Sequence, residues 1–167
     1  MKLSVTLAGR RAVVITVSDR CARGESEDVS GPRVAALLRE AEASVTAQVL
    51  PDETPALIAA LRAAAADGAE LIVTTGGTGL APRDITPEAT LAVCERMVPG
   101  VAEVMRAAGM AETPWAALSR GVCGTLGRTL IVNLPGSPAG AHGSLKTILP
   151  LLPHALALLA GEDPPHR

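Results

Sequence analysis

Four times in this chain a short β-branched run ends in a loop of Gly, Ser, Thr, Asp and Pro, after which a helix signal begins. The runs are RAVVITV (Arg11–Val17), SVTAQVL (Ser44–Leu50), LIVTT (Leu71–Thr75) and TLIVNL (Thr129–Leu134). Two of them are continuously apolar rather than alternating, which suits strands covered on both faces, as in a parallel sheet. Helix signals lie between them. SGPRVAALLREAEA places Val34, Leu37, Leu38 and Ala41 on one face. TPALIAALRAAAADG starts at Thr54 with Pro55 in its first turn and stops at Gly68. TPEATLAVCERM starts with Thr86 and Pro87 and sets Glu88 at the positive end of the helix dipole. GVAEVMRAAG and SPAGAHGSLKTIL complete the set, and Thr54 and Thr86 are read as N-caps. Strands alternating with helices predict an α/β domain with helices on both faces of a mostly parallel sheet.

The core must be aliphatic. Hydrophobic residues make up 48% of the 167, yet there is no Phe, no Tyr and a single Trp, Trp115. Stacking platforms for nucleic-acid bases are therefore missing, and a net charge of -2 without a basic block disfavours a polyanion-binding surface. The length predicts one domain over 1–167, with 1–10 as a lead-in and 162–167 as a frayed tail. Cys21, Cys94 and Cys123 form no CxxC pair, and they read as reduced, structural thiols of a cytoplasmic protein. No long apolar core follows Met1 and Lys2, so no signal peptide is expected. The stretch TILPLLPHALALLAG is interrupted by Pro150, Pro153 and His154 and reads as a buried helix rather than a membrane span.

The loops VSDRCARGESEDVSGP, LPDETP, TTGGTGLAPRDITP and NLPGSPAG each follow a strand and precede a helix. In an open α/β sheet such loops gather at the carboxyl edge, where ligands bind. Gly76, Gly77 and Gly79 let backbone N–H groups approach a ligand closely, and successive N–H groups make an anion-binding concavity. Phosphate is the natural guest, with the helix opening at Thr86 adding its dipole; a plain tight turn is the alternative. The common nucleotide fingerprints fail: no Lys follows these glycines, and Pro82 stands where GxGxxG needs its last glycine. PGSPAG is not a nucleophile elbow, because Pro135 holds the first glycine position. No HExxH or cysteine cluster offers a zinc site, and His142, His154 and His166 read as helix-surface or tail residues.

The acids carry more information. Asp19 and Asp28 flank the first loop, Asp52 follows the second strand, and Asp84 follows the glycine turn. With Thr54 and Thr86 as caps, Asp52 and Asp84 are free to face the pocket. A carboxylate beside a phosphate repels it unless a divalent cation bridges the two, as Mg²⁺ does with one or two carboxylates plus substrate oxygens. Asp84 can hold such a cation, and Arg83 or Arg20 can neutralise the remaining charge.

The string TTGGTGLAPRDITPEAT, with VSDR upstream, LPDE between and NLPGSP downstream, closely resembles the molybdenum cofactor biosynthesis domain. The nearest match is to the molybdopterin adenylyltransferases, including the G domains of the plant and animal fusion proteins; SGPR, LSR (118–120) and LLPHAL are also similar to that family. The resemblance runs from about residue 11 to residue 161. It implies a three-layer α/β/α sandwich and a homotrimer. It implies binding of molybdopterin, a pterin with a dithiolene and a terminal phosphate, and Mg²⁺-dependent adenylylation of that phosphate by ATP with release of pyrophosphate. A molybdenum-insertion protein would act downstream. By the same resemblance Asp52 and Asp84 match the two acids that matter for catalysis and for Mg²⁺. Thr75, Gly76, Gly77, Thr78 and Gly79 match the phosphate-binding turn. Ser18, Asp19, Ser119, Arg120, Pro135, Gly136, Ser137 and Pro138 match other pocket positions. The chain is short after NLPG and so looks like the compact plant-type domain. A non-catalytic pterin-binding or scaffold domain is the alternative; it would keep the glycine turn without needing both acids. A nucleotide-binding dehydrogenase module is weaker, because its fingerprint is absent.

Overall fold

A computed structural model describes residues 5–165. The parts of the expected lead-in, tail and signal region that fall on 1–4 and 166–167, His166 included, lie outside the described residues. The four expected strands form as β1 (Arg11–Val17), β2 (Ser44–Leu50), β3 (Leu71–Thr75) and a last strand, Thr129–Leu134, with the bounds read from sequence. Helices α1 (Asp19–Ala22), α2 (Ser30–Glu40), α3 (Thr54–Ala66), α4 (Thr86–Val93), α5 (Pro99–Met110), α6 (Pro138–Ile148) and α7 (Leu152–Ala160) surround them.

Two strands were not foreseen. Arg96–Met97, expected at the end of a helix, is the short strand β4, because α4 stops at Val93 and Cys94 turns extended. Cys123–Leu126 is β5, and it turns back into β6 (Thr129–Leu134) through Gly127, whose φ of 57° suits a two-residue hairpin loop. The sheet order is β2-β1-β3-β6-β5-β4. β2, β1, β3 and β6 are parallel, while β5 and β4 join antiparallel. The sheet is thus mostly parallel, as expected.

Successive residues of each central strand face opposite layers. Val14, Val73 and Val132 pack with Val34 and Leu38 of α2, Met105 of α5, Leu145 of α6 and Leu156 of α7. Ile15, Ile72 and Ile131 pack with Leu57 and Leu61 of α3 and Val93 of α4. Layers on both faces explain why these strands read as unbroken apolar runs, and they make the three-layer sandwich. The face assigned to α2 holds: Val34, Leu38 and Ala41 are buried and Leu37 packs beside them.

Other expectations shift. The N-cap of α3 is Glu53 and that of α4 is Ile85, neither with a side-chain cap bond, so Thr54 and Thr86 are first helical residues rather than caps. The 162–165 tail has no regular structure, but Glu162 is tied, pairing with Arg10 at 3.0 Å. Pro138–Ala160 runs through a 3-10 turn as one helical stretch of 23 residues, long and apolar enough to cross a membrane by length and composition alone. Its Leu145, Ile148, Leu152 and Leu156 pack into the sheet core while Leu151 and Leu158 are exposed, so the stretch buries one face rather than its whole surface as expected.

Candidate active site

All four expected loops meet at the carboxyl edge. Between β1 and β3 the connections diverge to opposite sides, which opens a crevice there. The loops are tied by hydrogen bonds. Ser18 N–H donates to the Leu50 carbonyl (2.9 Å), and Gly76 N–H donates to that of Leu134 (3.3 Å). Thr75 Oγ1 donates to the Pro135 carbonyl and Ser30 Oγ to that of Gly136, both at 2.7 Å. Ser18 and Ser137 act as caps, accepting from Cys21 N–H (3.2 Å) and Gly140 N–H (3.1 Å) at the starts of α1 and α6.

The glycine turn requires glycine at two positions. Gly76 and Gly77 have φ of 98° and 68°. A Cβ on Gly76 would stand 2.3 Å from the Val17 carbonyl oxygen; one on Gly77 would stand 2.3 Å from Thr86 Oγ1 and 3.3 Å from Asp52 Oδ1. Thr86 has a different task from the one expected. Buried, it donates its hydroxyl to the Gly76 carbonyl (2.9 Å) and its N–H to the Gly77 carbonyl (3.1 Å), fixing the turn from below.

The turn separates two hollows. The larger, about 860 Å³, is lined by Gly77, Thr78, Gly79, Asp84, Ser119, Pro135, Gly136 and Ser137, with α5, the 3-10 turn Pro114–Leu118 and α6 forming its walls. The smaller, about 390 Å³, is lined by Ser18, Arg20, Asp28, Thr75, Gly76, Gly136 and Pro138. Gly136 borders both. Of the residues expected at the pocket, Asp19, Asp52, Arg83 and Arg120 line neither hollow. Sequence reading missed the walls: Met105, Arg106, Trp115, Asn133 and Lys146 border the larger hollow, and His142 stands half-buried on its α6 side rather than on an outer surface. Asn133 had a visible signal, a polar residue inside an apolar run. Its amide donates to Thr74 and Thr90 and its oxygen accepts from Val122 N–H.

The acids divide by partner. Asp19 and Asp52 exchange bonds: Asp19 N–H donates to Asp52 Oδ2 (2.8 Å) and Asp52 N–H to Asp19 Oδ1 (2.9 Å). Arg83 grips Asp19 with both arms of its fork (2.5 and 3.0 Å) and reaches the Asp52 carbonyl (3.2 Å). The guanidinium holds the Asp19 carboxyl at about 2. Arg83 is therefore committed to Asp19, and of the two cations expected to neutralise ligand charge only Arg20 borders a hollow. Burial pushes the Asp52 carboxyl up, with the Asp19 and Asp84 charges adding to it and the Asp19 N–H bond opposing. Asp84 Oδ2 accepts from Ala81 N–H (2.9 Å) and lies against Gly79, 2.7 Å from where a Cβ would stand. Asp28 keeps a turn role, accepting from Gly31 N–H and Thr16 Oγ1.

Asp52 and Asp84 thus flank the turn at Gly77 and Gly79. Among the described residues no three of His, Cys, Asp and Glu converge on one point. A cation held here takes at most these two carboxylates and completes its shell with substrate oxygens and water, which is how Mg²⁺ binds at phosphate sites. The donor set fits. All three thiols are free; Cys21 lines the smaller hollow, while Cys94 and Cys123 line neither, and burial pushes Cys94 to about 11 and Cys123 to about 12.

A mostly parallel three-layer α/β/α domain, with a glycine turn set between two hollows at the carboxyl edge and flanked by two carboxylates, defines a class of α/β domain. Within that class the chain belongs to the family described as the probable molybdopterin binding domain, which matches residues 13–154. The molybdopterin biosynthesis enzyme MoaB from Thermus thermophilus superposes with a TM-score of 0.86 at 51% identity, over 92% of this chain and 98% of that one. A molybdenum cofactor biosynthesis bifunctional protein of Synechococcus elongatus is 46% identical over 94% of this chain and 50% of its own length. A molybdopterin adenylyltransferase of Helicobacter pylori strain J99 is 38% identical over 89% of this chain and 86% of its own. The chain spans half the length of the Synechococcus relative and a quarter of the Drosophila melanogaster molybdenum cofactor synthesis protein cinnamon.

Proposed function

We propose that this chain is a molybdopterin adenylyltransferase: it transfers AMP from ATP to the terminal phosphate of molybdopterin, giving adenylyl-molybdopterin and pyrophosphate. A phosphate oxygen of the pterin attacks the α-phosphorus of ATP, a new P–O–P bond forms, and the bond to pyrophosphate breaks. The observation that carries this reading is the pair of carboxylates, Asp52 and Asp84, placed on either side of the glycine turn. A pterin-binding scaffold would need the turn but not both acids.

The two hollows give the two substrates separate beds, and their shared border at Gly136 and the turn is where the reacting phosphates meet. The turn's N–H groups bind phosphate oxygens in a fixed array, so positioning and charge stabilisation do most of the work, as phosphoryl-type chemistry requires. Asp84 and Asp52 are the residues that would hold Mg²⁺, which supplies charge neutralisation between phosphate oxygens and carboxylates when bound. Asp52 gains from such a neighbour, because burial and like charges already disfavour its ionised form. Ser18, Thr75, Ser119, Ser137 and the backbone around Pro135 and Pro138 supply polar contacts at the rims. The chain acts as one domain, as a homotrimer in the cytoplasm, and hands its product to a molybdenum-insertion protein; the three free thiols are in keeping with a reducing compartment.

The test is direct: incubate the protein with ATP, Mg²⁺ and molybdopterin, and measure adenylated pterin and pyrophosphate. Equal yields of both, dependent on Mg²⁺, are expected. Molybdopterin binding without either product would replace this reading with the scaffold one.

A further inference from the structure

Arg120 is matched by resemblance to a substrate-pocket position, yet its neighbours Ser119 and Gly121 border the larger hollow and it does not. Each of its three guanidinium nitrogens donates to the protein. Nε donates to the Gly79 carbonyl (2.7 Å), Nη2 to the Asp84 carbonyl (2.8 Å), and its own N–H to the Thr78 carbonyl (2.8 Å). Nη1 pairs with the Glu88 carboxylate. One side chain therefore clamps both ends of the 79–84 loop. In a planar trans peptide the N–H points opposite to the carbonyl. Drawing the Thr78 and Gly79 carbonyls toward Arg120 turns the N–H groups of Gly79 and Leu80 away from it. The segment that carries Arg120 is itself anchored, since Arg106 of α5 donates to the carbonyls of Gly121 (2.9 Å) and Ser119 (3.4 Å).

We propose that Arg120 is a positioning residue: it grips the glycine turn from behind, aims the turn's N–H groups and sets the Asp84 carboxylate, and it does not touch substrate. The planar guanidinium is essential to this, because a lysine ammonium cannot bridge two carbonyls and a carboxylate in one plane. The activity readouts rest on the adenylyl-transfer reading; the exchange readout below does not.

The test compares Arg120→Ala and Arg120→Lys with the unaltered protein. Misplacement of a catalytic array on the ångström scale lowers turnover by about a hundredfold, so kcat of Arg120→Ala should fall by about that factor. The molybdopterin KM should stay within about threefold, the pattern of a lost transition-state interaction rather than lost pterin binding, while half-saturating Mg²⁺ should rise about tenfold because the displaced Asp84 carboxylate holds the ion less well. Guanidinium at about 20 mM should restore turnover of Arg120→Ala at least tenfold by refilling the fork site. Arg120→Lys should fall between the two proteins without responding to guanidinium. In the substrate-free variants, amide hydrogen exchange across 79–84 should quicken about tenfold while β2 is unchanged. A raised KM with normal kcat would mean that Arg120 contacts substrate, and unaltered exchange in both variants would mean that the turn stands without it; either result overturns the proposal. If Arg120→Ala does not fold, Arg120→Lys decides by the same readouts. An unaltered protein that makes no adenylated pterin sinks the adenylyl-transfer reading, and the exchange measurement still decides the role of Arg120.

Discussion

Gly79→Ala is the sharpest probe of Asp84, because it moves the carboxylate without removing it. Gly79 lies outside the left-handed region, so alanine adds no backbone strain. Its Cβ would meet Asp84 alone, with Oδ2 at 2.7 Å and Cγ at 3.7 Å. Carbon–oxygen contacts settle near 3.3 Å, so Oδ2 must retreat by about 0.6 Å. The bond it accepts from Ala81 N–H, now 2.9 Å, would stretch to the edge of usefulness. That loss costs about 1 kcal/mol, or about 2–4 °C in Tm for a chain of this length. A 1 Å misplacement costs about a hundredfold in rate, so 0.6 Å should cost on the order of tenfold. The assay pairs thermal unfolding followed by circular dichroism with steady-state adenylyl transfer across a Mg²⁺ titration. Turnover per folded molecule should drop about tenfold, half-saturating Mg²⁺ should rise, and Tm should fall by only a few degrees. Full turnover with an unchanged Mg²⁺ requirement would refute the placement of Asp84 in the reaction. So would a collapse of Tm that accounts for all the lost activity. Gly77→Ala is the poorer experiment, since it mixes a φ of 68° with a clash at Thr86 Oγ1 and so couples folding to function.

Asp84→Asn should lower adenylyl transfer by on the order of a hundredfold, the scale for losing one charge-stabilising group, with little change in Tm because the amide oxygen still accepts from Ala81 N–H; a destabilised variant with normal turnover would make Asp84 a turn residue only. Light scattering in dilute buffer should give three times the chain mass, and a monomer at every concentration would count against the homotrimer. Native Cys94, at about 11, should carry about a thousandth of its thiol as thiolate at pH 8 and alkylate slowly, its rate rising about tenfold per pH unit. Because its folded-state value lies above the unfolded one, the unfolded chain sheds the proton first, and stability should decline from about pH 9 toward 11 with no such slope below 9. Equal alkylation rates at pH 8 in native and denatured protein would contradict its burial.

The parallel core was legible because its signal is local: LIVTT and TLIVNL are buried on both faces and read so. The four carboxyl-edge loops followed from strand–loop–helix order alone. The antiparallel edge was missed for different reasons. β4 has only two residues, both exposed, and carries no periodicity. β5 contains a glycine, but TLGRTL held a usable sign, a Gly-Arg pair between two runs, as in a two-residue hairpin loop. Thr86 was misread because a threonine before Pro87 and Glu88 has the chemistry of an N-cap; tertiary contact sends its hydroxyl to Gly76 instead. Arg83 on Asp19 and Arg120 on the turn are pairings across 64 and 41 residues of chain, which no spacing within one sequence encodes. The larger hollow has walls from α5 and α6, and their proximity is a property of packing rather than of either segment.

The aromatic-poor composition leaves Trp115 as the sole strong near-ultraviolet chromophore, and it stands 74% exposed on the wall of the larger hollow. Its fluorescence in the folded protein starts close to that of indole in water, so unfolding has little left to alter and must be followed through the backbone signal. A ligand seated against α5 and the 3-10 turn strips water from the ring and shifts its emission to the blue, whereas one confined to the smaller hollow leaves the spectrum alone. The protein carries its own label-free optical reporter for the larger of its two hollows, and titrating ATP and molybdopterin separately against that signal tests the proposal that each substrate has its own side of the turn.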